Sequence, residues 1–168
     1  MHFIYNILKP NVLKIFYFYI DNNLLVKIGN FRLKNNSITF EGTPEKRAER
    51  KFNNLLAEGF RDLKNTISGK KTIYIHRNSG IPLIGSNSFG IVDRNTSIVD
   101  IRPITSCNLN CIYCSVDAGI SSKNQVDFVV EREYLIEEFR KLVEFKGCDV
   151  EVHLGSQGEP LLYAEIVE

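Results

Sequence analysis

The segment Thr105-Ser106-Cys107-Asn108-Leu109-Asn110-Cys111-Ile112-Tyr113-Cys114-Ser115 holds three of the four cysteines, with three and then two residues between them. Thiolates are soft ligands for iron or zinc, and this spacing lets one tight turn aim three sulfurs at a single point. Three protein ligands leave one coordination position open, which separates a reactive metal centre from a closed structural one. Similar spacing also occurs in zinc knuckles and closed ferredoxin-type clusters, and those need a fourth protein ligand, here Cys148 or His153.

With three cysteines in one loop and Cys148 alone, the chain lacks the spread pattern of a secreted disulfide scaffold, and a reducing cytoplasm is expected. The 21 basic and 20 acidic residues nearly cancel, so the overall charge steers the chain toward neither nucleic acid nor an anionic membrane. The apolar run Ile15 to Ile20 is too short to span a bilayer and reads as a buried strand.

Aromatic and β-branched residues from Lys14 to Ile20, the turn residues Asp21-Asn22-Asn23 and the run Leu24 to Ile28 predict a hairpin. Phe31 to Leu33 and Ile38 to Phe40, punctuated by Asn35-Asn36, extend it to a small antiparallel sheet. Thr43-Pro44-Glu45 predicts a helix start with Thr43 as the cap, and an apolar stripe from Ala48 to Ile67 continues it until Gly69. Thr72 to Ile75 reads as a strand, and the unpatterned stretch from Asn78 to Gly90 as a connection between domains. Phe89 to Val92 and Ser97 to Ile101 read as two strands joined at Asp93-Arg94-Asn95-Thr96, the second delivering the cysteine loop from its end. A polar stretch follows, then an amphipathic helix from Glu131 to Lys146 stopped by Gly147, the strand Val150 to Leu154, and a helix beginning at Leu161 to Val167. Strand, loop, helix and strand in this order predict a βαβ unit with parallel strands. Strand alternation puts Glu151 and His153 on one face, as it does Asp100 and Arg102; all four are expected to point inward, as a polar chamber or a structural ion-pair cluster.

The last strand runs into Gly155-Ser156-Gln157-Gly158-Glu159-Pro160. Glycines let a backbone come close to a ligand and a carboxylate pairs with an ammonium group, although Gly-Glu-Pro is also an ordinary turn between a strand and a helix.

The CxxxCxxC loop, with an aromatic residue before its last cysteine, resembles the signature loop of the radical S-adenosylmethionine (radical SAM) enzymes. The resemblance covers Ser97 to Glu168. It implies a [4Fe–4S] cluster on Cys107, Cys111 and Cys114, with S-adenosyl-L-methionine chelated to the fourth iron. It further implies an oxidoreductase chemistry in which an electron splits the sulfonium, yielding a 5′-deoxyadenosyl radical that abstracts hydrogen from a substrate the sequence does not name. A reductant such as ferredoxin or flavodoxin would supply that electron. By the same resemblance Glu159 contacts the amino group of S-adenosylmethionine with Gly158 beside it, and Tyr113 lies against the adenine or else packs the loop. The turn departs from the commoner double-glycine form, so the resemblance does not assign which main-chain atoms take part, and Gln157 has no assigned role. The fold class implied is α/β: the start of a partial (β/α) barrel of radical SAM type over 86–168, preceded by a small α+β accessory domain over 1–85. Such a chain is expected to be an incomplete fragment that takes up iron yet turns over no S-adenosylmethionine alone.

Overall fold

The structure, a computed structural model, describes residues 2–4, 7–12, 15–34, 37–123, 126–155 and 157–163, in two units, Met1–Thr66 and Ile67–Glu168. The compositional boundary expected at 85/86 falls inside the second unit.

In the first unit short strands alternate with turns. β1 (His2–Ile4), β2 (Ile7–Lys9), β3 (Asn11–Val12), β4 (Phe16–Tyr17) and β5 (Ile20–Asp21) precede helix α1 (Asn22–Val26). β6 (Asn30–Lys34), β7 (Ser37–Glu41), helix α2 (Glu45–Gly59) and β8 (Lys64–Asn65) complete it. The expected single antiparallel sheet is replaced by smaller pieces: β1, β2 and β5 pair together, β4 pairs with β3 and β8, and β6 pairs with β7. The run from Leu24, expected as a strand, is helical, because the Asp21 carboxylate accepts the Asn23 N–H at 2.8 Å and so caps a helix start instead of a hairpin turn. Asn35-Asn36 and Lys14 lie outside the described residues.

Helix α2 presents Phe52 to Phe40, ring centroids 5.9 Å apart, and Phe40 in turn meets Phe31 across the hairpin at 6.1 Å. Its start differs from expectation: Pro44 is the capping position, and the Thr43 hydroxyl donates instead to the Ile28 carbonyl at 2.7 Å. Nor does it continue to Ile67. It ends at Gly59, followed by a single 3-10 turn over Phe60–Asp62. Gly59 is buried against the face of Phe18, where a Cβ would overlap the ring.

The second unit contains β9 (Lys71–Ile75), β10 (Gly90–Asp93), β11 (Ile98–Arg102), β12 (Val126–Val130), helix α3 (Arg132–Lys146) and β13 (Glu151–Leu154). β10 and β11 form an antiparallel hairpin across the expected turn, and β13 lies parallel to β11 in the register Ile98↔Glu151 to Ile101↔Leu154. α3 begins with Glu133 in its first turn and Lys146 in its last, and ends where Gly147 adopts φ +61, its N–H donating to the Val143 carbonyl at 3.0 Å. Leu135 and Leu142, seven positions apart on one helix face, pack with Val99 and Ile101 of β11, Ile91 of β10 and Val130 of β12 into a single buried cluster. Tyr163 ties in from the chain's far end by donating its hydroxyl to the Val130 carbonyl at 2.7 Å.

This is not the start of a (β/α) barrel. The described residues form small mixed sheets and three α-helices, and no barrel closes. β12, which falls between the expected polar stretch Asp117 to Asn124 and the helix, pairs in parallel with β9 in a sheet separate from that of β11 and β13. The β11–β13 pair is flanked by the antiparallel β10, and β13 is the last strand of its sheet. Where a helix was expected from Leu161 to Val167, Pro160–Leu162 form a 3-10 turn, and 164–168 lie outside the described residues. No helix among the described residues is long and apolar enough to cross a membrane.

Replacing Gly59 by alanine forces a methyl into the space of the Phe18 ring. Such overpacking costs about 1–3 kcal/mol. Urea denaturation of Gly59→Ala should show a lower midpoint, and an unchanged midpoint would refute the packing described.

Candidate functional site

Because β11 and β13 run in parallel, the chain leaves both at the same end of the sheet, where ligand-binding loops of such strands gather. From β11 come Pro103 and the cysteine loop; from β13 comes the glycine turn, its first residue held by a Gly155 N–H to Ile101 carbonyl bond of 3.0 Å.

The two loops meet at Ser106. Its carbonyl accepts the Glu159 N–H at 2.9 Å, and Gly158, at φ +71, approaches so closely that a Cβ there would stand 2.6 Å from the same oxygen. Only glycine combines this left-handed conformation with so close an approach. Glu159 Oε1 accepts the Leu161 N–H at 3.0 Å, capping the turn over Pro160–Leu162. The structure therefore brings Gly158 and Glu159 against the start of the cysteine loop.

Within that loop, Cys107 Sγ accepts the Leu109 N–H at 3.4 Å and the Cys111 carbonyl accepts the Cys114 N–H at 3.1 Å. The returning segment closes it: Ile120 N–H donates to the Leu109 carbonyl at 3.0 Å, and Gly119 packs where a Cβ would stand 2.9 Å from that oxygen. Backbone N–H groups of Ala118, Val116 and Asp117 point at Cys114 and hold its thiol below the ordinary range, outweighing slight desolvation and the Asp117 charge. Such N–H groups favour the thiolate, the form that ligates metal. Cys107, Cys111, Cys114 and Cys148 are free thiols, and Cys148 stands at the amino end of β13, opposite the loops. Among the described residues no three Cys, His, Asp or Glu side chains are gathered in metal-ligating geometry. The donor chemistry nevertheless suits a soft metal group: three thiols on one closed loop, one already shifted toward ionisation. Tyr113 and its neighbour Ile112 are exposed, so Tyr113 does not pack the loop onto the sheet.

A cavity of about 250 Å³ lies beside both loops, lined among others by Thr105, Ala118, Asp127, Phe128 and Gln157. Gln157 Oε1 is buried and without a hydrogen-bond partner among the described residues. Asp127 belongs to β12 and has no place in the sequence reading. Val126-Asp127-Phe128-Val129-Val130 does carry a signal, a β-branched and aromatic run that reads as a strand.

The sheet face opposite α3 is polar. Asp100 accepts from Arg94 Nη2 at 2.9 Å and from Arg102 Nη2 at 3.3 Å, while His153 Nδ1 lies 4.0 Å from its other oxygen and His153 Nε2 is 2.6 Å from Glu151 Oε1. Asp100 and Arg102 are buried, whereas Glu151 and His153 are exposed. Arg102 Nη1 also donates to the Asn87 carbonyl. All four residues thus share one face, joined by Arg94, which the sequence reading did not include. Burial pushes the Asp100 carboxyl up, but the hydrogen bonds and charge of Arg94 and then Arg102 outweigh it and hold the group below the usual carboxylate range.

No family model matches the chain. A stretch of 109 residues, 64% of this chain, is 49% identical to an uncharacterized protein of Methanocaldococcus jannaschii, and the chain spans about a quarter (25%) of that protein's length. No solved structure matches.

The depressed carboxyl of Asp100 makes a pH prediction. A carboxylate whose folded-state pKa lies below its unfolded value contributes stability that is complete above the unfolded value, about 4, and is lost as pH falls through the folded one. The urea midpoint should therefore fall more steeply below about pH 4 in the natural chain than in Asp100→Asn. Equal slopes would show that Asp100 is not the linked group.

Proposed function

We propose that this chain supplies the cluster and cofactor contacts of a radical SAM enzyme. The observation that carries the reading is the junction at Ser106, where the Glu159 N–H bond of 2.9 Å and the close approach of Gly158 seat the glycine turn on the residue preceding Cys107. Two segments far apart in sequence, each resembling a motif of one family, meet at one end of a parallel strand pair.

In this reading Cys107, Cys111 and Cys114 hold a [4Fe–4S] cluster, which when bound supplies the electron for reductive cleavage of S-adenosylmethionine. The chain's own residues bind and orient. Glu159 has Oε1 engaged by the Leu161 N–H, which fixes the carboxylate, and Oε2 is assigned to the cofactor's ammonium group. Gly158 keeps the turn low enough for that contact. Tyr113, exposed beside Cys114, is assigned to the adenine through its ring or its main chain. The electron comes from a small reductant such as ferredoxin or flavodoxin, and the free thiols suit a reducing cytoplasm. A closed zinc or electron-transfer centre would need Cys148 or His153 as fourth ligand. Cys148 lies at the opposite end of β13, and His153 is engaged with Glu151, which disfavours both. The polar face of Asp100, Arg102, Glu151 and His153 is assigned to the substrate side of the site.

Anaerobic reconstitution with iron and sulfide tests the reading. The natural chain and Cys148→Ser should both develop iron–sulfur absorbance and, after reduction with dithionite, an electron paramagnetic resonance signal that changes on adding S-adenosylmethionine. Alanine at Cys107, Cys111 or Cys114 should abolish the absorbance. Glu159→Gln should keep the cluster and weaken the response to S-adenosylmethionine by about tenfold or more, the value of a lost charge-assisted hydrogen bond. Zinc in place of iron, or a four-iron cluster indifferent to S-adenosylmethionine, would overturn the proposal.

A further inference from the structure

The cysteine loop is fastened at its start by β12. Ser106 is 1% exposed and its hydroxyl donates at 3.0 Å to Oδ2 of Asp127, itself 4% exposed. The Ser68 hydroxyl donates to the same oxygen at 3.2 Å, fixing the carboxylate from a second direction. Backbone bonds run alongside: Thr105 N–H to the Phe128 carbonyl at 3.0 Å, Phe128 N–H to Thr105 Oγ1 at 2.8 Å, and Val130 N–H to the Pro103 carbonyl at 2.8 Å. After Ser106 the pattern changes, since the hydrogen bond to Cys107 Sγ comes from Leu109 within the loop.

Ser106 is thus the last residue before the first cysteine that is held from outside the loop, by its hydroxyl to Asp127 and by its carbonyl to Glu159. Burying a carboxylate costs more than burying an amide or an apolar side chain, so packing alone does not account for an acid at this place. The bond from the Ser106 hydroxyl fixes the direction in which the chain departs toward Cys107.

We propose that Asp127 is a positioning residue: through Ser106 it sets the orientation of Cys107 and, through the same residue's carbonyl, keeps the Gly158–Glu159 turn seated beside it. The link to a cluster rests on the function proposed above; the link to the thiol does not.

The test begins with the metal-free full chain. Iodoacetamide alkylation of each cysteine is followed by peptide mass spectrometry, with Cys148 as reference because it lies at the other end of β13. Asp127→Ala and Ser106→Ala should each raise the Cys107 rate relative to Cys148 by about threefold or more, in keeping with the loss of one hydrogen bond. The double variant should react no faster than Asp127→Ala alone, in which the Ser106 bond is already lost. Asp127→Asn keeps an acceptor oxygen and should restore the natural rate. In the reconstituted protein Asp127→Ala should retain iron while its apparent affinity for S-adenosylmethionine falls about tenfold. Unchanged Cys107 rates in both single variants, or effects that add in the double one, would overturn the proposal. Should Asp127→Ala loosen the whole unit, a lowered urea midpoint would show it, and the milder Ser106→Ala then decides by the same criterion. If the alkylation pattern holds but the natural chain binds no four-iron cluster, the positioning role stands and the radical SAM reading falls.

Discussion

The parallel register between β11 and β13 is the constraint on which the remainder of the second unit depends. Four paired residues, Ile98↔Glu151 through Ile101↔Leu154, bring the carboxyl ends of both strands level, so the segments that follow emerge side by side. A shift by one residue would reverse every side chain of β13, moving His153 away from Asp100. The observed register places the glycine turn against Ser106.

The two faces of this small sheet do different work. Val99 and Ile101 bury against α3 and hold the unit together, while Asp100 and Arg102 occupy the alternate positions of the same strand. An isolated buried charge would be untenable, and each is matched: Arg102 by Asp100 and the Asn87 carbonyl, Asp100 also by Arg94. Replacing such a pair with apolar residues is frequently neutral or stabilising, so its presence is weak evidence for a role in stability. That leaves room for a role in recognition, on a face where His153 and Glu151 remain accessible to solvent.

Much of this was legible in sequence where one element carries its own signals. Helix α3 has a sustained apolar stripe, an acid in its first turn and Gly147 beyond its end, and it spans what those features indicate. The β10–β11 hairpin follows from two short apolar runs around Asp93 to Thr96. Short runs without such punctuation misled. Leu24-Leu25-Val26 reads equally as strand or helix, and the carboxylate of Asp21 settles the matter only through a hydrogen bond that composition does not encode. The larger miss was β12, a strand that finds its partner β9 through pairing between distant residues, in a sheet separate from that of β11 and β13. At the candidate site the cysteine spacing and the Gly-Glu-Pro turn stand out, because they recur as local patterns. Asp127 does not, for a buried acid looks in sequence like one of many surface acids.

The distance along the chain between β11 and β13 has a kinetic consequence. The β10–β11 hairpin and α3 are built from local contacts and form readily, whereas the parallel ladder must close the whole intervening segment before any of its bonds form. The ladder is thus expected to be the late event in folding of this unit. Until it closes, Ser106 lacks its contact with Glu159, and the three thiols stand on a chain whose exit direction is set from one side alone. A nascent chain would therefore pass through a period in which its thiols are open to oxidants and stray metals, before its own structure shields them.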